Sequence, residues 1–353
     1  MGLRYIGNKT KLLEWIYAIS RENGLKEEMS VFDCFAGTGV VGEHFKSKGH
    51  KVYSSDIMYF SFLLQKARIE ISDQLKFEYF RPASKQNNLK LIENRINEYF
   101  KNLPLIETGF VYNTYSPSGS FEKGVKRMYF TDIVGKRIDT IRVEVERLFK
   151  NALIDESEYF YLLACLIYTT SFYSNTAGVY GAFHKSWDPR ALKDFNLRFI
   201  PITYSKRKNK AFLGDSSELI KDISCDVLYM DPPYNSRQYA PNYHVLESIA
   251  RYDSPEVKGV SGMRDYSDQK SDFCIKKKAS EALNYMVQNT SAGIVLLSYN
   301  DEGLLSKEEI SEVLSKHGNI RTIYKDHLRY KSKNHQLGAR KMVKEKLYIL
   351  HKR

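Results

Sequence analysis

Short apolar runs bounded by turn residues recur at both ends of the chain, while longer stretches with helical spacing fill its middle. Near the N-terminus, Ser30 to Phe35 (SVFDCF) reads as a buried strand and Ala36-Gly37-Thr38-Gly39 as a turn. Val40 to Lys48 follows as a helix stopped by Gly49, and Lys51 to Asp56 is the next strand. From about Met58 to Lys208 the rhythm changes to amphipathic stretches such as Lys85 to Lys101 and Val134 to Lys150, broken by aromatic-rich turns. Strand-like segments return at Lys210 to Asp215, Asp226 to Asp231, Ala292 to Tyr299, Ile320 to Leu328 and Lys346 to His351. A middle of about 150 residues cannot be a loop between adjacent strands. The pattern therefore predicts an α/β protein: a doubly wound, Rossmann-like sheet of seven strands interrupted by a mostly helical insertion. Residues 1–57 and 209–353 are expected to form one domain, and residues 58–208 the insertion.

Composition adds a preference for partners. The 353 residues are 42% hydrophobic and 27% charged, as in ordinary soluble proteins, but 54 Lys and Arg face only 42 Asp and Glu. The formal charge of +12 favours a polyanionic partner, with nucleic acid first among them. Cys34, Cys165, Cys225 and Cys274 are scattered without a Cys-x-x-Cys pair, which suggests reduced core cysteines. His, Cys and carboxylates do not cluster with metal-ligand spacing, so no metal is expected; His184 reads as a structural histidine. Basic residues interrupt the N-terminal apolar positions, and no run approaches the roughly 18 apolar residues of a membrane span. A cytoplasmic protein without a membrane partner is expected.

Phe35-Ala36-Gly37-Thr38-Gly39 leaves a strand and opens a helix, so its glycines allow close approach of a ligand to the backbone. In open α/β sheets ligands bind beyond the carboxyl ends of the strands. Asp56, ending the next strand, is placed to accept hydrogen bonds from ribose hydroxyls. The spacing is not that of nicotinamide enzymes, and no Gly-Lys-Ser/Thr follows, so a phosphate cradle is not indicated. S-adenosylmethionine, an adenosyl cofactor without phosphate, suits the turn. Asp33 either faces the cofactor's amino group or holds a structural partner.

The second chemical signal closes the apolar strand Val227 to Met230. Prolines in series cannot continue a sheet, so Asp231-Pro232-Pro233-Tyr234 must leave it at the same rim as the glycine turn. These residue types suit an exocyclic amine whose lone pair is delocalised into a ring. The Asp231 carboxylate and the Pro232 carbonyl can each accept an amine hydrogen, which favours a more pyramidal nitrogen, and Tyr234 offers a face for base stacking. A hydrogen bond to a charged group contributes roughly 1.5 to 3 kcal/mol, and base stacking on an aromatic ring roughly 1 to 3 kcal/mol.

Together these motifs resemble the adenine-specific (N6) DNA methyltransferases of the Dam and restriction-modification type, over most of the chain. The resemblance implies a methyltransferase sheet with an antiparallel last strand and an inserted target-recognition domain. It implies S-adenosylmethionine as cofactor, held by Tyr5, Gly7, Asn8 and Lys9 of the N-terminal segment and by Asp33, Phe35, Ala36, Gly37, Thr38, Gly39 and Asp56. Asp215 matches the family's contact to the cofactor adenine or is a simple strand-end carboxylate. Asp231, Pro232, Pro233 and Tyr234 become the catalytic centre, acting on an adenine flipped out of duplex DNA. Arg237 and Tyr239 are pocket or DNA-contact candidates. Arg329, Lys331 and Lys333, in a C-terminal stretch whose one acid is Glu345, are placed to reach phosphates. Members of this type can accompany a cognate restriction endonuclease, and the sequence leaves open whether one is a partner here. Two alternatives stay open: an RNA adenine-N6 methyltransferase with the same fold and tetrapeptide, and a catalytically inactive nucleic-acid-binding relative. Asp231 argues against glutamine and cytosine-amine methylation, which go with Asn and Ser at that place.

Overall fold

The computed structural model describes residues 5–82, 88–122, 124–328 and 342–353. All seven expected strands are present: β1 (Ser30–Cys34), β2 (Lys51–Asp56), β3 (Lys210–Leu213), β4 (Val227–Met230), β5 (Ile294–Asn300), β6 (Gly318–Leu328) and β7 (Met342–Lys352). They form one sheet in the order β3-β2-β1-β4-β5-β7-β6. The first five are parallel, and β7 runs antiparallel between β5 and β6. The strand order reverses between β1 and β4, the switch point at which such sheets bind ligands.

Alternation along the strands sorts side chains onto two covered faces. Phe32, Cys34, Leu228, Met230, Val295, Leu297, Tyr348 and Leu350 pack with apolar residues of the helices Lys276–Asn289 and Lys307–Ser315. Val31, Val52, Val227, Tyr229, Leu296, Leu347 and Ile349 pack on the opposite face, against Ile16 and Ile19 of the helix Leu13–Glu22 and Phe45 of the helix Val40–Ser47. Parity then puts Asp33, Ser298 and Glu345 on this second face, and the same alternation continued past β4 brings Asp231 to it.

The chain divides into two compact units. Residues 6–72, 203–240 and 266–353 make the sheet unit just described. Residues 1–5, 73–202 and 241–265 make the other, which is built from helices including Leu89–Asn102, Asp132–Lys150, Glu156–Tyr173 and most of Ala240–Arg251. Its long helices start where side chains satisfy free amides: Thr131 accepts from Val134, and Asp155 and Glu158 form a reciprocal capping box.

The stretch 241–265 joins the helical unit through polar anchors. Arg127, nearly buried, donates to the carbonyls of Gly259 and Val260, and Tyr115 and Tyr129 donate to Gly262 and Ser261. Asp139, fully buried, accepts from the amides of Val111 and Tyr112 and from the Tyr252 hydroxyl. A Cβ on Gly109 would lie 2.2 Å from the Asp139 carboxyl carbon. Gly109→Ala is therefore expected to destabilise the protein by about 1 to 3 kcal/mol. Denaturant unfolding of the whole chain checks this, and an unchanged midpoint would contradict it.

Candidate active site

The glycine turn is held from below by carboxylates. Phe35, expected as the last strand residue, instead leaves β1 with a φ of 64°, and Gly37 and Gly39 follow at 52° and 75°. The strand ends because these left-handed residues cannot continue a ladder; the Phe35 ring packs edge-on against Phe273. Asp56 accepts from the amides of Gly37 and Met58 at 2.9 and 2.8 Å, so the residue expected to meet a ribose also fixes the turn. The Gln65 amide donates to the Gly37 carbonyl at 3.2 Å, while its own carbonyl oxygen is buried without a hydrogen-bond partner. Ala36 donates to Ser55, and Thr38 is buried in the turn.

Asp33, 1% exposed, accepts from the amide of Gly42 in the first turn of the helix Val40–Ser47. Burial pushes its carboxyl up to about 8, and the nearby Asp231 and Asp56 charges push the same way. Asp33 thus has a structural partner. Asp215 caps the short helix Ser216–Leu219, accepting from the amide and hydroxyl of Ser217 at 2.8 Å. Gly214, with a φ of 154°, bends the chain there and donates to the Asp56 carbonyl.

The tetrapeptide meets the N-terminal segment. The Lys9 ammonium lies 3.2 Å from Asp231 Oδ1 and 2.6 Å from Glu345 Oε1, and the Ser298 hydroxyl donates to the same Glu345 oxygen at 2.6 Å. The side chains of Lys9, Asp231 and Glu345 are 8%, 19% and 7% exposed. Burial works against the Lys9 charge, but the two carboxylates outweigh it and hold the amine above the ordinary lysine value. Burial pushes Asp231 up to about 6, with Lys9 pulling it down and Glu345 pushing it up. Asp231 is therefore an anion at neutral pH, kept more basic than a solvated aspartate.

Tyr234 is half-buried, and its carbonyl is fixed by the Leu304 amide at 2.7 Å. Its ring meets Tyr299 edge-on at 6.4 Å. Pro232 is buried and Pro233 partly so. Asn8 accepts from the amide of Thr10 and shapes the turn that carries Lys9, and Gly7, at a φ of 76°, lies near the Tyr239 hydroxyl. Arg237 is exposed on a segment tied down by Gln238, whose amide exchanges hydrogen bonds with Ser271 at 2.8 and 3.0 Å. Tyr5 falls in the helical unit, where its ring stacks on Tyr243 at 4.8 Å. Arg329, Lys331 and Lys333 lie outside the described residues.

Glu345 was not singled out by the sequence, where it is one acid in a basic run. The available signal was its parity: it alternates with Leu347 and Ile349, both fully buried. A carboxylate on such a face requires a cation or donors.

The site's chemistry fits an S-adenosylmethionine-like ligand. The carboxylates of Asp56, Asp231 and Glu345 outnumber the single Lys9 ammonium, and the net negative charge suits a sulfonium cation rather than a phosphate. The buried, unpartnered Gln65 oxygen at the glycine turn is consistent with a donor from a ligand. Among the described residues no cluster of three or more His, Cys, Asp or Glu is set to hold a metal ion, and no helix is long and apolar enough to cross a membrane.

Known proteins resemble this chain over most of its length. The type II methyltransferase M.FokI of Planomicrobium okeanokoites is 42% identical over 95% of this chain and 50% of its own length. The modification methylase StsI of Streptococcus sanguinis is 36% identical over 99% of this chain and 52% of its own. The chain thus spans about half the length of these two relatives. The type II methyltransferase M.NlaIII of Neisseria lactamica is 35% identical over 99% of both chains. The family model of D12 class N6 adenine-specific DNA methyltransferases matches residues 5–313. With that match and a full-length relative, this chain belongs to the D12 class of N6 adenine-specific DNA methyltransferases.

Proposed function

We propose that this chain transfers a methyl group from S-adenosylmethionine to the N6 amine of an adenine flipped out of duplex DNA, at a specific sequence, within a restriction-modification system. The observation that carries the reading is the Asp231 carboxylate, held 3.2 Å from the Lys9 ammonium where the tetrapeptide leaves β4. The names of the relatives, type II methyltransferases and modification methylases, support duplex DNA and a cognate restriction endonuclease as partner. The charge of +12 supports the same substrate over a protein or a small molecule. The cytoplasm is the expected location.

When bound, S-adenosylmethionine supplies an electrophilic methyl group on a sulfonium. Gly37, Thr38 and Gly39 with Phe35 and Ala36 are assigned to its close backbone contacts, Asp56 to the ribose, Asp215 to the adenine, and Gly7, Asn8 and Lys9 to its methionine end. Asp33 acts in this assignment by holding the helix Val40–Ser47 under the turn. Asp231 accepts one hydrogen of the target amine and the Pro232 carbonyl the other, which draws the nitrogen lone pair out of conjugation. Formation of the nitrogen–carbon bond would be matched by breakage of the sulfonium carbon–sulfur bond, leaving a neutral thioether, and the amine's surplus proton would pass to the Asp231 carboxylate and then to solvent. Tyr234 stacks on the extruded base, and the remaining acceleration comes from alignment of the displacement. Arg237 and Tyr239 are assigned to DNA contact, as are Arg329, Lys331 and Lys333 on sequence grounds. The sheet unit carries this chemistry, and the helical unit supplies target recognition.

Equilibrium dialysis with labelled S-adenosylmethionine tests the cofactor assignment. Saturable binding at one site per chain is expected, and its absence would reduce the protein to a nucleic-acid-binding relative.

A further inference from the structure

The tetrapeptide and the glycine turn leave one buried charge unexplained. Glu345 sits on β7, between β5 and β6, opposite Asn300 and Lys325. Burying a carboxylate on an interior strand is costly unless partners meet it, and apolar residues usually fill such a position at least as well. Here both partners contact one oxygen: the Lys9 ammonium and the Ser298 hydroxyl, each at 2.6 Å. Lys9 reaches the site from a turn that precedes the first helix, so no regular element fixes it. The ammonium is nearer to Glu345 than to Asp231, by 2.6 Å against 3.2 Å.

We propose that Glu345 is a positioning residue for methyl transfer: by holding the Lys9 ammonium, it fixes the place and the charge of the Asp231 carboxylate that meets the target amine. The inference rests on the methyltransferase reading above. Glu345 does not touch the substrate in this scheme. It shares the Lys9 charge, so that Asp231 is paired closely enough to stay put and loosely enough to keep accepting hydrogen bonds. Without Glu345 the ammonium has Asp231 as its one carboxylate partner, and the pair closes at the expense of the lone pairs the amine needs.

The charges facing Asp231 give the scheme a sign. They are Lys9 from the N-terminal segment and Glu345 from β7; the Asp33 carboxyl on β1, pushed up to about 8, the Tyr229 hydroxyl on β4 and Tyr234 also face it. The Glu345 charge raises the Asp231 pKa and the Lys9 charge lowers it. Removing Glu345 should move the acid limb of the kcat profile to lower pH, and removing Lys9 should move it up.

The test compares wild type, Glu345→Gln, Lys9→Met and the double variant in transfer of labelled methyl to long unmethylated duplex DNA, across pH 5 to 9 (roughly the window around a carboxylate near 6). The wild-type acid limb is expected near 6. Glu345→Gln keeps an acceptor for Lys9 and Ser298 and leaves one cation with one anion, so the fold should hold. Its kcat should fall roughly tenfold at neutral pH with KM for DNA little changed, the split that marks loss of a transition-state interaction. Its acid limb should shift down, that of Lys9→Met up, and the double variant should be no worse than Lys9→Met alone, since Glu345 acts through Lys9. A structural role alone would lower activity without opposite shifts of the two limbs. Unshifted limbs or additive losses would overturn the proposal. If Glu345→Gln does not accumulate as folded protein, Ser298→Ala loosens the same carboxylate without changing charge, and an unchanged kcat there would overturn it equally. Failure of wild type to methylate DNA would refute the parent reading instead, a result distinct from any change among active variants.

Discussion

Asp231→Ala is expected to reduce methyl transfer by about three orders of magnitude or more, the upper range for removing a positioned acid–base group, while DNA binding stays within about twofold of wild type. The separation follows from the electrostatics of the site. Asp231 faces the Lys9 ammonium and the target amine, not phosphates, so its removal takes no cation from the DNA surface. The variant also leaves Lys9 paired with Glu345 at 2.6 Å, so the buried ammonium keeps a carboxylate and the fold should persist. Filter binding or fluorescence anisotropy on the same duplex, run beside the transfer assay, separates the two effects. Joint loss of binding and transfer would contradict the role given to this carboxylate.

Tyr234 carries the second large effect. Tyr234→Ala removes the face on which the extruded base stacks and should cost roughly 5- to 150-fold in kcat/KM, the equivalent of 1 to 3 kcal/mol. Tyr234→Phe keeps that face and should retain most of the activity. The backbone of Tyr234 is fixed independently of the ring, because the Leu304 amide holds its carbonyl at 2.7 Å. The alanine variant therefore tests stacking with little disturbance of Asp231. Equal losses in the two variants would move the function from the ring to the hydroxyl.

How far these residues were legible from the sequence depends on whether one period or several had to be read together. The strands announced themselves because β1, β4 and β5 are buried on both faces and appear as short, largely apolar runs, unbroken in β4 and interrupted by Asp33 in β1 and Ser298 in β5. The tetrapeptide was equally visible, since two prolines must end a strand. Phe35 was read one residue too far into β1, because a left-handed φ at a bulky residue leaves no mark in a single sequence. Asp33 and Asp56 were seen as strand-end acids, yet their hydrogen bonds to Gly42 and Gly37 depend on how the turn folds back over the strands. Glu345 was hidden for a different reason. Its neighbours form a basic stretch that reads as a phosphate-facing surface, and its pairing with Lys9 spans 336 residues. The joining of residues 241–265 to the helical unit likewise rests on distant polar contacts such as those of Arg127.

The most direct test of the central claim is the identity of the methylated nucleoside. Wild-type protein would be incubated with methyl-labelled S-adenosylmethionine and, separately, unmethylated duplex DNA of mixed sequence and RNA of matched sequence, and each product digested and resolved by mass spectrometry. Label is expected in N6-methyldeoxyadenosine from the duplex, and none with Asp231→Ala. Label in a methylated cytosine, or in RNA alone, would contradict it.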